Sequence, residues 1–239
     1  SVIVGGVQAE SGRSGRAGSG GYLVVEADEY DYMFLGLRPQ IAVVTNIEHD
    51  HPDLFRTPAA YLRAFEQFIQ RLPDDGLLIC CSDDAGVQRL LRNGLPEGTH
   101  LITYGLLESH VNGETTAYRA LDMQSNQLGG TDFVVTRGGE TLGVARLRLP
   151  GDHNVLNALA AIAVCSELRD SFSDIVQALI SFGGVGRRFQ LVGEVGDCAV
   201  IDDYAHHPTE IRVTLAAARQ RFPGRRLWAV WQPHTYSRT

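Results

Sequence analysis

Short apolar runs without strict alternation recur along the first half of the chain. They are YLVVEA (22–27), IAVVTN (41–46), GLLICC (76–81) and HLITYG (100–105). Strands with one solvent-facing side alternate apolar and polar residues, whereas continuous apolar runs are typical of strands buried on both faces of a parallel sheet. This pattern constrains the fold strongly, because parallel strands need crossover connections between them.

The segments between these runs carry helical signals. From 57 to 72 apolar residues recur at helical spacing, with Thr57 as N-cap and Pro58 at the first helical position. DDAGVQRLLRNG predicts a second capped helix that ends at a glycine. The alternation of strands and helices predicts an α/β fold with a mainly parallel sheet, flanking helices and right-handed crossovers.

The pattern changes after residue 110. Between 110 and 150, TTAYRAL, TDFVVTRGG and GVARLRL alternate and are joined by turns with Gly and Asn, which predicts a small antiparallel sheet. A helix that is apolar nearly all round is predicted over 152–168 and another over 173–182.

GGVGRRF (183–189) is interpreted as a hinge. Beyond it a new β-α-β unit is predicted, with strands over 198–204 and 226–232 and a helix over 208–221. We therefore predict two domains, 1–190 and 191–239.

Composition bounds the class of protein. The chain of 239 residues is 44% hydrophobic and 21% charged, which is ordinary for a globular domain. The net charge of -7 argues against a nucleic-acid partner. No apolar run approaches the ~20 residues that span a bilayer, so no membrane insertion is expected. The four cysteines lack CxxC spacing, which favours reduced core residues of a cytoplasmic protein. Apolar runs near both ends, with Ser1 first, favour a piece of a longer protein.

Polar clusters follow several of the predicted strands. EADEYD (26–31), EHDH (48–51), DYAHHP (203–208) and QPHTYSR (232–238) each come directly after an apolar run. In open α/β sheets, ligands bind beyond the carboxyl ends of the strands. These clusters are therefore the candidate sites.

Glu26 and His51 would lie within a few ångströms if their strands were neighbours. A carboxylate with a histidine suits a divalent metal, although Mg²⁺ prefers oxygen donors. The alternative is an acidic rim with one histidine hydrogen-bonded to the backbone. Neighbouring acids, Glu29 among them, are interpreted as solvated or structural.

Three further groups of residues each allow a structural and a functional interpretation. His153 and Asn157 share one face of the buried helix, where they could tie down loops or contact a base. Arg187 and Arg188 in the hinge suit phosphate or an interdomain salt bridge. His207 precedes Pro208, a position typical of an N-cap. The chain has no GxxxxGK[ST] loop, no Gly-x-Ser-x-Gly elbow and no plausible cysteine nucleophile.

The assembled motifs resemble one family. VVEADEYD, VVTNIEHDHPD, GDHNVLNALAA, GVGRRF, DDYAHHPTEI and QPHTYSRT resemble the Mur ligases in this order and over essentially the whole chain. The family has UDP-binding, ATP-binding and C-terminal Rossmann-like domains. The resemblance implies that 1–190 is the central ATP-binding domain without its P-loop, and that 191–239 begins the C-terminal domain.

The resemblance also implies site residues and cofactors. ATP and Mg²⁺ are the implied cofactors, with Glu26 and His51 as metal ligands. The implied nucleotide contacts are His153, Asn157, Arg187, Arg188, Asp203 and Tyr204. The implied substrate contacts are His207, His234 and Arg238, and the implied catalytic set is His207, Arg188 and Asp203. His49 is not counted as a ligand, and Thr235 stands where some members have arginine.

The implied activity is ATP-dependent ligation of L-alanine to UDP-N-acetylmuramate through an acyl phosphate in peptidoglycan biosynthesis, with this piece inactive alone. Three alternatives stay open: a sister ligase that attaches a recycled tripeptide, a non-catalytic nucleotide-binding relative, and a metallohydrolase built on EHDH. The oligomeric state is not predicted.

Overall fold

The structure is a computed structural model that describes residues 1–9, 11–111 and 113–233, apart from the side chain of Glu114. The α-helices of these residues are α1 (Pro58–Ile69), α2 (Ala85–Arg92), α3 (Asp152–Glu167), α4 (Phe172–Ser181) and α5 (Pro208–Arg221). The strands are β1 (Val2–Ile3), β2 (Gly15–Arg16), β3 (Val24–Val25), β4 (Ile41–Val44), β5 (Leu77–Cys81), β6 (His100–Gly105), β7 (His110–Val111), β8 (Glu114–Thr115), β9 (Tyr118–Ser125), β10 (Thr131–Arg137), β11 (Glu140–Arg146), β12 (Gln190–Val195) and β13 (Cys198–Asp202).

The largest sheet has six strands in the order β11-β10-β9-β6-β5-β4. β4, β5, β6 and β9 are parallel neighbours, whereas β9, β10 and β11 pair antiparallel. The predicted α/β class with a mainly parallel sheet is confirmed. The antiparallel strands continue the parallel sheet, so both parts share one hydrogen-bonded surface.

Helices cover both faces of this sheet, which explains the continuous apolar runs. Leu78 and Cys80 of β5 face one core, together with α1 and α2. Their neighbours Ile79 and Cys81 face the other core, which contains α3. Successive strand residues point to opposite faces, so a strand between two helical layers must be apolar at every position.

Smaller sheets flank the large one. β1 pairs antiparallel with β2 and parallel with β3, so only Val24–Val25 of the predicted 22–27 run is a strand. β7 pairs with β8. β12 and β13 form an antiparallel hairpin just after the predicted hinge.

The predicted β-α-β unit after the hinge is wrong in its last strand. Residues 226–232 form no strand, and apolar side chains there are exposed, with Val230 98% accessible. A strand needs a hydrogen-bonded neighbour. Among the described residues β13 pairs with β12, antiparallel, and this segment pairs with neither. The helix over 208–221 is observed as α5.

None of the helices in the described ranges is both long enough and apolar enough to cross a membrane.

The start of α2 fixes the loop that leaves β4. Asp84 Oδ1 accepts hydrogen bonds from the backbone N–H of Val87 at 2.7 Å and of Ile47 at 3.0 Å. A Cβ at Gly86 would lie 2.0 Å from the carbonyl oxygen of Ile47, so only glycine permits this approach. The acidic cluster EHDH begins at the next residue, Glu48. The position of its first residue is therefore fixed by the contacts of Ile47.

Replacing Asp84 tests this anchor. We expect Asp84→Ala to lower the free energy of unfolding by about 1–3 kcal/mol, because a helix cap and a bond to the loop are both lost. Asp84→Asn keeps an acceptor oxygen and should cost less. Urea denaturation measures both, with the exposed Asp75→Ala as a control near zero. Equal losses for the alanine and asparagine variants of Asp84 would contradict the anchor.

Candidate functional site

The loops that follow β3 and β4 come together. His51 Nε2 lies 3.4 Å from Glu29 Oε1, and the rings of Tyr30 and His51 pack edge to face with centroids 5.0 Å apart. The Tyr30 hydroxyl donates to the carboxylate of Asp53 at 3.2 Å. EADEYD and EHDH, far apart in the chain, therefore form one cluster.

Glu29 is held in this cluster by α1. The buried Tyr61 hydroxyl donates to Glu29 Oε1 at 2.9 Å. Burial raises the pKa of Tyr61, and the Glu29 carboxylate raises it further, so the phenol remains a donor. The structural interpretation of Glu29 agrees with these contacts. Tyr61 was missed as a site residue, since its only signal was a place on the apolar face of a helix.

His49 is tied to the backbone of the same loop. Its Nε2 lies 2.7 Å from the carbonyl oxygen of Phe55, and its ring packs against Tyr61 with centroids 6.1 Å apart. These contacts give His49 a part in shaping the loop, in keeping with its omission from the predicted ligands.

Glu26 and His51 follow strands of two different sheets. β3, which precedes Glu26, pairs with β1 and not with β4. The backbone N–H of Gly5 donates to Glu26 Oε2 at 2.5 Å, whereas Oε1 has no hydrogen-bond partner among the described residues. Within those residues no group of three or more His, Cys, Asp or Glu is arranged to hold a metal. Mg²⁺ keeps several waters, so one open carboxylate oxygen and an imidazole suit it as a partial donor set. The metal assignment stays a prediction.

At the start of α3, His153 is half-buried and its pKa responds to the charges of two hinge residues, Asp203 and Arg188. His153 Nδ1 is buried and has no hydrogen-bond partner among the described residues. Burial lowers the pKa of His153; the carboxylates of Asp203 and Asp152 oppose this shift, and the charge of Arg188 adds to it. The result is a neutral imidazole close to Asp203 and Arg188.

Two asparagines near the start of α3 differ in their contacts. Asn154 Nδ2 donates to the carbonyl of Pro150 at 2.7 Å and so ties down the preceding turn. Asn157 is exposed, and its side chain bonds to no residue in the described part of the chain. It lies one turn from His153 on the same helical face, where a ligand could reach both.

A cleft of about 290 Å³ lies where α5 packs against the start of α3, with Gly151 and His153 on one wall and Ala217 and Gln220 on the other. A larger depression of about 640 Å³ lies at the amino ends of β5 and β6, beside His100. Of the predicted site residues that the structure describes, none lines the larger depression, whereas His153 lines the smaller cleft. The smaller cleft is therefore the candidate site.

Asp203 holds the hinge. Its Oδ2 accepts the N–H of Phe189 at 2.8 Å and its Oδ1 that of Ala205 at 2.7 Å. Arg187 and Phe189 have φ of 59° and 47°, a left-handed conformation uncommon outside glycine. The carboxylate thus fixes a strained turn, and its predicted nucleotide and catalytic role stays a prediction.

Both hinge arginines contact carboxylates. Arg187 Nε lies 3.6 Å from Asp202, and its guanidinium is 4.6 Å from the ring centroid of Tyr204. Arg188 Nη1 lies 3.5 Å from Glu210 of α5. These agree with the salt-bridge interpretation. Both arginine side chains are more than half exposed, so the pairs are weak and phosphate binding stays a prediction.

His207 is the N-cap of α5. Its Nδ1 accepts the N–H of Thr209 at 3.3 Å, while Glu210 Oε2 accepts the N–H groups of His206 and His207 at 3.0 and 3.2 Å. The turn role that Pro208 indicated is present. Nε2 of His207 bonds to none of the described residues, so a ligand could still contact it.

His234 and Arg238 lie outside the described residues, and their substrate contacts stay predictions.

Glu48 belongs to the EHDH cluster, and no role of its own was predicted for it. Its Oε1 accepts the hydroxyl of Thr209 at 2.7 Å, and its Oε2 lies 3.8 Å from His207 Nδ1. No local pattern could reveal a contact across that separation in sequence.

Family models match most of the chain. The Mur ligase middle domain matches residues 16–165, and the Mur ligase, glutamate ligase domain matches 187–238. The first match alone covers more than half of the 239 residues. The chain belongs to the Mur ligase family. The resemblance stated from its motifs is confirmed.

Individual Mur ligases align along the whole chain. A UDP-N-acetylmuramate–L-alanine ligase of Salinibacter ruber is 46% identical over 239 residues, which are 100% of this chain and 48% of that protein. The Renibacterium salmoninarum protein of the same name is 42% identical over 100% of this chain and 50% of its own length. The chain thus spans about half the length of these curated relatives.

Solved Mur ligase structures share the fold. The UDP-N-acetylmuramate-alanine ligase MurC of Thermotoga maritima has a TM-score of 0.74 at 28% identity, over 92% of this chain and 47% of that one. A murein peptide ligase of Psychrobacter arcticus has a TM-score of 0.66 at 28% identity, over 98% and 52%.

Replacing Asp203 and, for comparison, its neighbour Asp202 tests whether Asp203 holds the hinge. We expect Asp203→Ala to lower the free energy of unfolding by about 1–3 kcal/mol, because two backbone N–H groups lose their acceptor. Asp202→Ala should change it by less than ~0.5 kcal/mol, since it removes one exposed ion pair. Urea denaturation of both variants makes the comparison. Equal effects would mean that Asp203 does not hold the turn.

The lowered pKa of His153 predicts a pH dependence. Below its ordinary value of 6.5, the unfolded chain binds a proton on His153 before the folded chain does. Above pH 6.5, His153 is neutral in both states and the free energy of unfolding does not depend on its protonation. As pH falls from 6.5 through the folded-state pKa, protonation of the unfolded chain lowers the free energy of unfolding. Relative to His153→Gln, the native chain should lose up to ~1.4 kcal/mol per pH unit in this window. Denaturation of both between about pH 5 and 8 tests this. Parallel stability curves would contradict a buried neutral imidazole.

Proposed function

We propose that the complete protein containing this sequence is an ATP-dependent ligase that joins L-alanine to UDP-N-acetylmuramate in peptidoglycan biosynthesis. The observation that carries the proposal is similarity along the whole of this chain: proteins named for this reaction are 42% and 46% identical to it, well beyond the motifs. The contacts are compatible with it, because His153 lines the cleft between α3 and α5, and Arg188 pairs with Glu210 of α5.

The nucleotide would occupy the cleft between α3 and α5. Neutral His153 and the exposed amide of Asn157 supply hydrogen bonds for the edge of a base without adding charge. Arg187 and Arg188 supply exposed guanidinium groups for phosphate oxygens. Asp203, already bonded to the backbone, holds the turn that carries these arginines and Tyr204 in place.

Glu26 and His51 are the residues that would hold Mg²⁺. Bound there, the ion would neutralise charge on the phosphate oxygens of ATP. The chain contributes by keeping the carboxylate and the imidazole in place. Gly5 holds one oxygen of Glu26, and Glu29 lies beside the imidazole of His51.

The reaction is phosphoryl transfer followed by acyl transfer. A carboxylate oxygen of the muramate attacks the γ-phosphorus of ATP, the bond to ADP breaks, and an acyl phosphate forms. The amine of alanine then attacks the acyl carbon, phosphate leaves, and the nitrogen loses a proton. We assign His207 and Arg188 to binding the charged groups, and the unit that contains α5 to keeping water from the acyl phosphate.

The proposal also covers the division of the chain into domains and the cellular compartment of the protein. We assign 1–190 to the ATP-binding domain and 191–239 to the start of the C-terminal domain, a division supported by family matches over 16–165 and 187–238. All four cysteines are free thiols, which supports the reducing cytoplasm as the compartment.

A second candidate is the ligase that attaches a recycled tripeptide to UDP-N-acetylmuramate. The Psychrobacter arcticus murein peptide ligase matches 98% of this chain at 28% identity, the same identity as the Thermotoga maritima protein.

Release of ADP by the complete protein tests both candidates. With UDP-N-acetylmuramate present, we expect ADP release to require L-alanine and not L-alanyl-γ-D-glutamyl-meso-diaminopimelate. Dependence on the tripeptide would favour the second candidate. ADP release with neither amine, or none with both, would contradict the ligase proposal.

Variants of His207 test its assigned role in the same assay. His207→Ala should lower turnover by at least ~10²-fold, the scale of a positioned catalytic or binding group. Because alanine also removes the α5 cap, His207→Asn is the matched variant: it keeps a capping acceptor and lacks the Nε2 position. Both variants should be slow, and only the alanine variant should be less stable. A fast asparagine variant would limit His207 to capping.

A further inference from the structure

Helix α5 packs closely against the start of α3. Ala217, on the inner face of α5, is fully buried. A Cβ placed on Gly151, just before α3, would lie 3.0 Å from the Cβ of Ala217. Small residues on both sides permit this approach, and α5 becomes the wall of the cleft opposite His153.

Near its C-terminal end, α5 is hydrogen-bonded to its surroundings through Gln220, while Arg221 packs on Gly129. Gln220 Oε1 accepts the backbone N–H of Gly151 at 2.8 Å, and Gln220 Nε2 donates to Thr131 Oγ1 at 3.3 Å. Thr131, at the start of β10, is 1% exposed. The oxygen of the Gln220 amide is therefore bound to the turn before α3, and its nitrogen to the large sheet.

The N-terminal end is attached by a different contact. The Thr209 hydroxyl donates to Glu48 Oε1 at 2.7 Å, and the His207 ring lies beside the other carboxylate oxygen. Glu48 belongs to the loop that carries His51. The contact therefore joins the turn of His207 to the loop of His51.

We propose that Glu48, Thr209 and Gln220 form a clamp that holds α5 in place as the wall of the nucleotide cleft. They are positioning residues: they act through His153, which α5 covers, and through His207, which α5 carries. The clamp rests on the proposed function only in naming a nucleotide as the occupant of the cleft.

The spacing of the contacts explains why both are needed. Thr209 and Gln220 lie about 16 Å apart along the helix axis, at the rise of 1.5 Å per residue. One attachment leaves a rigid helix free to pivot, whereas attachments near both ends fix its direction. Each hydrogen bond shifts the equilibrium between the attached and the detached end of α5 by roughly three- to tenfold. This is much less than the free energy that holds the sheet together, so one end can detach while the sheet stays folded.

Variants of the 239-residue chain test the clamp without ATP or substrate. Gln220→Met keeps the length and helix propensity of the side chain and removes both hydrogen bonds. Thr209→Val removes the hydroxyl at constant shape, and Thr209→Ser retains it. Arg212→Ala, at an exposed position of α5, is the control.

The first readout is carbethoxylation of His153 by diethyl pyrocarbonate, followed by mass spectrometry of its peptide. The second is hydrogen exchange of the Gly151 amide and of α5. For Gln220→Met and Thr209→Val we expect modification and α5 exchange to rise roughly three- to tenfold, while amides of β5 and β6 are unchanged. Thr209→Ser and Arg212→Ala should match the native chain.

Two outcomes would overturn the clamp. In one, His153 reacts at the native rate in both Gln220→Met and Thr209→Val, so neither residue keeps the cleft covered. In the other, exchange rises equally in β5 and β6, so the residues support overall stability only. Neither outcome bears on the ligase proposal, which the ADP assay of the complete native protein tests separately.

Discussion

Parallel pairing of β4, β5 and β6 is the constraint on which the site depends. The three strands run in continuous register, with Ile41 opposite Leu77 and Leu77 opposite His100. Their carboxyl ends therefore emerge at one edge of the sheet. Each fully buried side chain on these strands contributes roughly 1.5–3 kcal/mol, and the base beneath the loops is correspondingly rigid.

Polar groups at this edge divide into those that build the loops and those left open for a ligand. Tyr61 and Asp84 bind the acidic loops to the helices, and Asp203 fixes the hinge. By contrast, His153 Nδ1 and the Asn157 amide have no hydrogen-bond partner within the described residues. His153 lines the cleft and Asn157 lies one turn along the same helix, so we propose these two side chains as ligand contacts.

The sequence predicted most closely those elements whose signals are local. Thr57 and Pro58 mark the start of α1, and β5 and β6 match their apolar runs nearly residue for residue. The run 226–232 carries an equally strong strand pattern and forms no strand. A strand depends on a hydrogen-bonded neighbour, which composition does not specify.

The candidate site was predictable in location and less so in its contacts. The rule that ligands bind beyond strand ends selected EADEYD and EHDH, and these loops do meet. It did not reveal that Glu29, rather than Glu26, contacts His51, or that Gln220 reaches Gly151. Those contacts join residues far apart in the chain, and their geometry follows from the packing of helices and not from local pattern.

We propose that Mg²⁺ binds at the edge where these acidic loops meet, with Glu26 and His51 as its ligands. Titration of the isotope-labelled chain with Mn²⁺, a paramagnetic ion that takes oxygen-rich sites like those of Mg²⁺, tests it directly. We expect the amide signals of 26–31 and 48–53 to broaden first, while that of His100 at the opposite edge stays sharp. Broadening centred on another acidic segment, such as Asp74 and Asp75, or spread evenly over the chain, would contradict it.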